Sequence, residues 1–99
     1  MQVYRLEPKN DDTTNRNWDT TRLKERCWVL AESEVDARLK VALITGIAVR
    51  LPRNERFPIS PWINRDLTEC VPDNTSGHEV PKGFIITASK KIRIRTPLK

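Results

Sequence analysis

RCWVLAESEVDARLKVALITGIAV, residues 26–49, sets a strand directly against a helix, and the other elements have to be placed around that junction. From Arg26 to Ala31, the apolar residues Cys27, Trp28, Val29 and Leu30 point to both sides of an extended backbone. That is the pattern of a central strand covered on two faces. Ser33 then offers an N-cap oxygen with Asp36 three residues on, an approximate capping box. Glu34 and Asp36 place negative charge on the positive end of the helix dipole. Val35, Leu39, Ala42, Leu43 and Ile47 recur at helical spacing, and Val41, Ile44 and Ala48 widen that stripe. Arg38 and Lys40 are left for the outer face. The spacing predicts a helix over Ser33–Val49, stopped because Leu51 precedes Pro52, whose ring disfavours the α region for its neighbour. Arg50, Arg53 and Arg56 suit the negative end of the dipole.

Upstream, Val3–Leu6 reads as a strand closed by Pro8. Asn10–Thr21 is rich in Asn, Asp and Thr, whose side chains bond their own backbone, so a loop is expected, with Trp18 as an apolar peg. A short helical turn over Asp19–Lys24 is compatible with it. Between Leu51 and Asp66, Pro52, Pro58 and Pro61 break any period, which predicts an extended segment pinned by Phe57, Ile59 and Trp62. Leu67–Val71 is a short strand ended by Pro72, and 73–77 and 81–83 are turn clusters. Phe84–Arg95 is strand-like, either as one run or as a hairpin turning over Ala88–Lys91.

These elements predict an α+β fold in two layers: a mixed sheet of four or five strands with one long helix packed on one face, in a single domain over residues 1–99. Leu23, Cys27, Val29, Leu39, Leu43, Ile47, Leu67, Phe84 and Ile86 are the expected core. The connection through the helix is right-handed if the flanking strands are parallel neighbours.

The opening V-Y-R-L-x-P-x-N from Val3, the tryptophan of the following loop, A-x-S-E-x-x-A-R at the helix start and a later P-W resemble a family of small uncharacterised bacterial proteins. The resemblance runs from Gln2 to about Cys70. It implies a bacterial, cytoplasmic setting and brings no activity with it. The basic end from Val80 onward lies outside it.

Hydrophobic residues make up 37% of the chain and charged residues 31%, and the apolar ones gather in periodic runs, as in a folded chain. No run approaches the ~18–20 consecutive apolar residues of a membrane helix. Met1–Asn10 has neither the charged nor the apolar region of a secretory leader, so a cytoplasmic location is expected. Cys27 and Cys70 are the only cysteines and lack CxxC spacing. They are read as reduced and buried, and a bridge requires them to lie on adjacent strands. The net charge of +5 is uneven: Val80–Lys99 holds six cations and no acid, while the other residues hold 12 cations and 13 acids. A near-neutral body with a basic end suits a polyanion, an acidic partner surface, or simple solubility.

No catalytic, cofactor or metal site is expected. His78 is the only histidine and has no orienting partner or nucleophile in any recognisable spacing. Asp11, Asp12 and Asp19 share one loop without a calcium-loop pattern, and Asp66 and Glu69 read likewise as solvated turn formers. Gly46, Gly77 and Gly83 do not precede the predicted helix, which excludes a phosphate loop. What remains is surface. Lys90, Lys91, Arg93 and Arg95 lie on the last strand, and Phe57 and Trp62 sit in the P-x-x-P stretch Arg56–Trp62. The expectation is a non-enzymatic interaction module that binds an unknown protein partner, or itself as a homodimer, through one of these two segments. The alternative is nucleic acid held along Lys90, Lys91, Arg93 and Arg95. Cations on a last strand also serve to blunt a sheet edge against aggregation.

Overall fold

The computed structural model describes residues 1–47, 60–74 and 79–94. Strands β1 (Gln2–Pro8), β2 (Cys27–Ala31), β3 (Thr68–Pro72), β4 (Phe84–Thr87) and β5 (Lys91–Arg93) form one sheet in the order β3-β1-β2-β4-β5. One helix, α1 (Glu34–Thr45), packs on a single face of it, so the two-layer α+β architecture is as expected. Every hydrogen-bonded strand pair is antiparallel, in place of the mixed sheet the sequence suggests. The physical reason lies in β1. Strands β2 and β3 run the same way, but β1 is inserted between them, so α1 carries the chain over β1 and no strand has a parallel neighbour among the described residues. The handedness rule therefore has no pair to act on.

Strand β1 runs through Pro8 instead of stopping before it. Val3 O accepts from Asp73 N at 2.8 Å and Lys9 N donates to Leu67 O at 3.0 Å, so odd residues of β1 exchange with β3 and even ones with β2. The missing N–H of Pro8 thus faces the β2 side, just past the last pair there, Leu6 with Cys27. Leu6 also pairs with Cys70 across the other edge of β1. The two cysteines are two strand spacings apart, about 10 Å. A disulfide reaches only about 7 Å between Cα atoms, so the adjacency a bridge requires does not exist.

The helix begins as its sequence requires. Ser33 Oγ accepts from Asp36 N at 3.1 Å, and Asp36 Oδ2 reaches back to Glu32 N at 2.9 Å. It ends at Thr45, earlier than the predicted Val49, because the next residues pair with the loop before β2. Arg22 N donates to Thr45 O at 2.7 Å and Ile47 N to Thr20 O at 2.8 Å. Gly46 fits there because a Cβ would stand 3.0 Å from the Ala42 carbonyl. Residues 48 and 49 lie outside the described residues.

The buried face of α1 is not the leucine stripe. Ala37, Arg38, Val41 and Thr45 face inward, whereas Val35, Leu39, Leu43 and Ile47 are 58, 45, 77 and 43% exposed. The expected core positions Leu39, Leu43 and Ile47 are corrected accordingly, as is the outward placement of Arg38. Volume decides the matter. Trp18, from a 3-10 turn at Arg16–Thr20, and Trp62, from another at Pro61–Ile63, are fully buried and meet edge to face at 5.2 Å. With those rings in the core, the helix approaches it through the short side chains of Ala37 and Val41. Arg38 contributes hydrogen bonds rather than bulk, donating to Trp62 O at 3.0 Å, to Thr68 Oγ1 at 2.7 Å and to Thr68 O at 3.1 Å.

Leu23, Cys27 and Val29 are buried beneath α1 as expected, with Tyr4, Leu6 and Ile85. On the opposite face, Trp28, Val80 and Ile86 form a second cluster, so β2 is covered on both sides as its sequence demands. Phe84 packs at the margin of that cluster, and Leu67 is half-buried. The open choice at the end of the chain resolves as a hairpin: Thr87 N donates to Lys90 O at 2.9 Å, and Thr87 Oγ1 accepts from Ser89 N and Lys90 N.

Candidate binding groove beside the edge strand

The sequence places the bulk of α1 over β1, β2 and β3, and β5 lies at the far end of the sheet. Between the last turn of α1 and β5 a groove of about 550 Å³ opens. Leu23, Leu43, Ile44 and Ile92 give it apolar walls, and Arg22, Lys90 and Arg93 line it as well. Among the described residues that line it there is no carboxylate. Leu43 belongs both to this groove and to the exposed stripe Val35–Leu39–Leu43, which follows i, i+4, i+8 along the outside of α1. A continuous apolar track therefore runs from the helix surface into a pocket bearing cations.

The groove is held by paired backbone. The Arg22 and Ile47 bonds fix the helix end against the loop, and Thr21 Oγ1 lies 2.7 Å from Thr45 Oγ1, with Trp62 Nε1 donating to Thr21 Oγ1 at 3.2 Å. On the other wall, Ile85 pairs with Ile92, which puts Ile92 on the helix side of the sheet, where it packs against the main core. By alternation Lys91 lies on the opposite face, its ammonium 5.4 Å from the centre of the Phe84 ring, a cation–π contact. At the hairpin turn, Ser89 Oγ donates to Glu25 Oε2 at 3.5 Å.

Of the sequence-predicted contacts, Lys90 and Arg93 both line the groove, Lys90 in phase with Ile92 on the helix side of the sheet and Arg93 in phase with Lys91 on the other. Trp62 is corrected: its ring is 0% exposed and its indole N–H already donates to Leu23 O at 3.0 Å, so it presents nothing to a partner. Phe57 and Arg95 lie outside the described residues. Arg22, Leu43 and Ile44 also line the groove, and the sequence reading did not single them out for it. For Leu43 and Ile44 the signal was present in the stripe, which reads as core, whereas Arg22 stands outside it.

Elsewhere the chemistry is quiet. Among the described residues no group of three His, Cys, Asp or Glu side chains could hold a metal ion, and no helix is long and apolar enough to cross a membrane. Burial pushes the Cys27 thiol far above the usual range and the Cys70 thiol up to about 11, so neither is a nucleophile near neutral pH. A smaller hollow of about 290 Å³ is lined by Lys9, Asn10, Asp12 and Asp66 among others. Asp12 there accepts from Thr14 N at 2.9 Å and Thr14 Oγ1 at 2.7 Å, which holds its carboxyl below the ordinary value. It closes a turn, as the loop composition suggests.

Compared with known proteins, the chain matches no family model, no curated protein and no solved structure.

Proposed function

We propose that this protein is a non-enzymatic binding module that takes a protein partner on the outer stripe of α1 and in the groove beside β5. The observation that supports this reading is the exposure of Val35, Leu39 and Leu43 on one helix, continuous through Leu43 with a pocket. Contiguous apolar surface bordered by charge is the usual character of a protein-binding patch. A phosphate backbone would gain from Arg22, Lys90 and Arg93 but nothing from the leucines, so the whole surface fits a polypeptide better than nucleic acid.

The test selects a random-peptide display library on the full chain and on a Leu39→Glu/Leu43→Glu variant, both sites being exposed enough for the fold to persist. Peptides enriched by the wild type and lost by the variant support the reading. If no peptide distinguishes the two proteins, it is wrong. A dimer in sedimentation velocity that the variant dissolves would make a second copy the occupant. Duplex DNA binding with a log–log salt slope of about −4 to −5, lost on Lys90→Ala/Arg93→Ala and indifferent to the leucines, would replace it with the nucleic-acid reading.

A further inference from the structure

We propose that the partner segment is an extended peptide that joins the sheet along the outer edge of β5 and alternates acidic with apolar side chains. This rests on the binding-module reading above and specifies the chemistry of the occupant.

Strand β5 ends the sheet, and among the described residues nothing pairs with its outer edge. Ile94 N donates to Gly83 O at 2.7 Å and Lys90 O accepts from Thr87 N at 2.9 Å. The even residues of β5 therefore exchange with β4, and the N–H and C=O groups of Lys91 and Arg93 point outward. Such a row of backbone groups is a template for another strand.

The two sides of that edge differ. A strand laid along it would turn alternate side chains toward α1, into the groove walled by Leu43, Ile44 and Ile92. Its other side chains would lie beside Lys91 and Arg93, at cross-strand distances of about 4.5–5.5 Å between Cβ atoms. Apolar residues suit the Leu43, Ile44 and Ile92 walls met by the first set, though Arg22 and Lys90 also line that groove, and carboxylates suit the second set. A second copy of the chain is disfavoured as the occupant, because two β5 edges laid together set Lys91 and Arg93 against the same cations. The edge rejects itself and accepts an acid-bearing strand, which is how charge on an edge gives specificity.

The experiment uses the full chain and three blocked hexapeptides: alternating Glu and Val, the same composition in block order, and the alternating peptide with its edge-facing amides N-methylated. The alternating peptide is expected to slow amide exchange at Lys91 and Arg93 by about tenfold or more at saturation. The block-order and methylated peptides should bind at least about tenfold more weakly. A Lys91→Glu/Arg93→Glu variant should lose the Glu–Val peptide and gain an alternating Lys–Val peptide, which shows that the variant is folded. Binding that ignores residue order, or that leaves both amides exchanging as before, overturns strand addition. If library peptides still require Leu43 in that case, the binding module stands without it. If none does, both readings fall.

Discussion

Replacing Arg38 by methionine should destabilise the protein far more than replacing Leu43 by alanine, the reverse of what hydrophobicity alone would rank. Arg38 is 6% exposed. Methionine keeps much of its stem but supplies no donor, so the carbonyls of Trp62 and Thr68, now bonded at 3.0 and 3.1 Å, lose their guanidinium partner in the interior. Each such orphan costs about 1–3 kcal/mol. Glu34 adds little, because it is a third exposed and keeps Arg65 Nε at 3.2 Å. The expected loss is about 2–6 kcal/mol, against a total stability of about 5–15 kcal/mol for a domain of this size. Leu43 is 77% exposed, so truncating it removes little buried area. Alanine favours the helix slightly, and the change should stay within about 0.5 kcal/mol. Urea unfolding followed by tryptophan fluorescence measures both, since Trp18 and Trp62 are buried and should redden on exposure. An unchanged m-value lets the midpoint report stability directly. If Leu43→Ala costs more than Arg38→Met, the helix presents its other face to the sheet and the groove described here does not exist.

Trp62→Phe removes an N–H bonded to Thr21 Oγ1 and Leu23 O, whereas the buried Trp18 Nε1 has no acceptor among the described residues. In calorimetry Trp62→Phe should therefore cost about 1–2 kcal/mol more than Trp18→Phe, and equal losses would refute the asymmetry. Ser33→Ala should cost about 1 kcal/mol through the lost cap to Asp36 N, and a change too small to resolve by urea titration would deny the cap its role. The Asp36 carboxyl is held below its ordinary value chiefly by the Glu32 N–H, with burial opposing and Lys40 adding to the lowering. Its contribution is full above the unfolded value of about 3.9 and disappears as pH falls through the lower folded value, so Asp36→Asn should flatten acid unfolding in that window. Thiol labelling at pH 8 should leave Cys27 inert and Cys70 slow in the native protein, with both reacting fully in denaturant. Fast native labelling of Cys27 would contradict its burial.

Much of the sheet is legible in the residues, because period two and proline act locally: β1, β2 and β3 begin and end within about two residues of where their sequences place them. Ser33 announces the helix for the same reason. The face that α1 buries is not local. Val35, Leu39 and Leu43 carry the apolar signal, but Ala37 and Val41 occupy the space left beside Trp18 and Trp62, which are distant in sequence. Only the partners of a surface decide which of two candidate stripes is small enough to fit. The candidate site shares this history. Lys90, Lys91 and Arg93 stand out as cations, while Arg22 and Leu43 join them only because the helix end pairs with the loop before β2.

The position of β1 between β2 and β3 also constrains the order in which the fold can be assembled during synthesis. β1 and β2 can close a hairpin once Ala31 has left the ribosome, but the other edge of β1 has no neighbour until Pro72 has followed. For the time needed to make some forty residues, at about 5–20 residues per second, that edge is open on the nascent chain. Its odd positions carry Val3, Arg5 and Glu7, two of them charged, on the face opposite α1. These charges give a temporarily unpaired strand some protection from foreign strands until its own arrives.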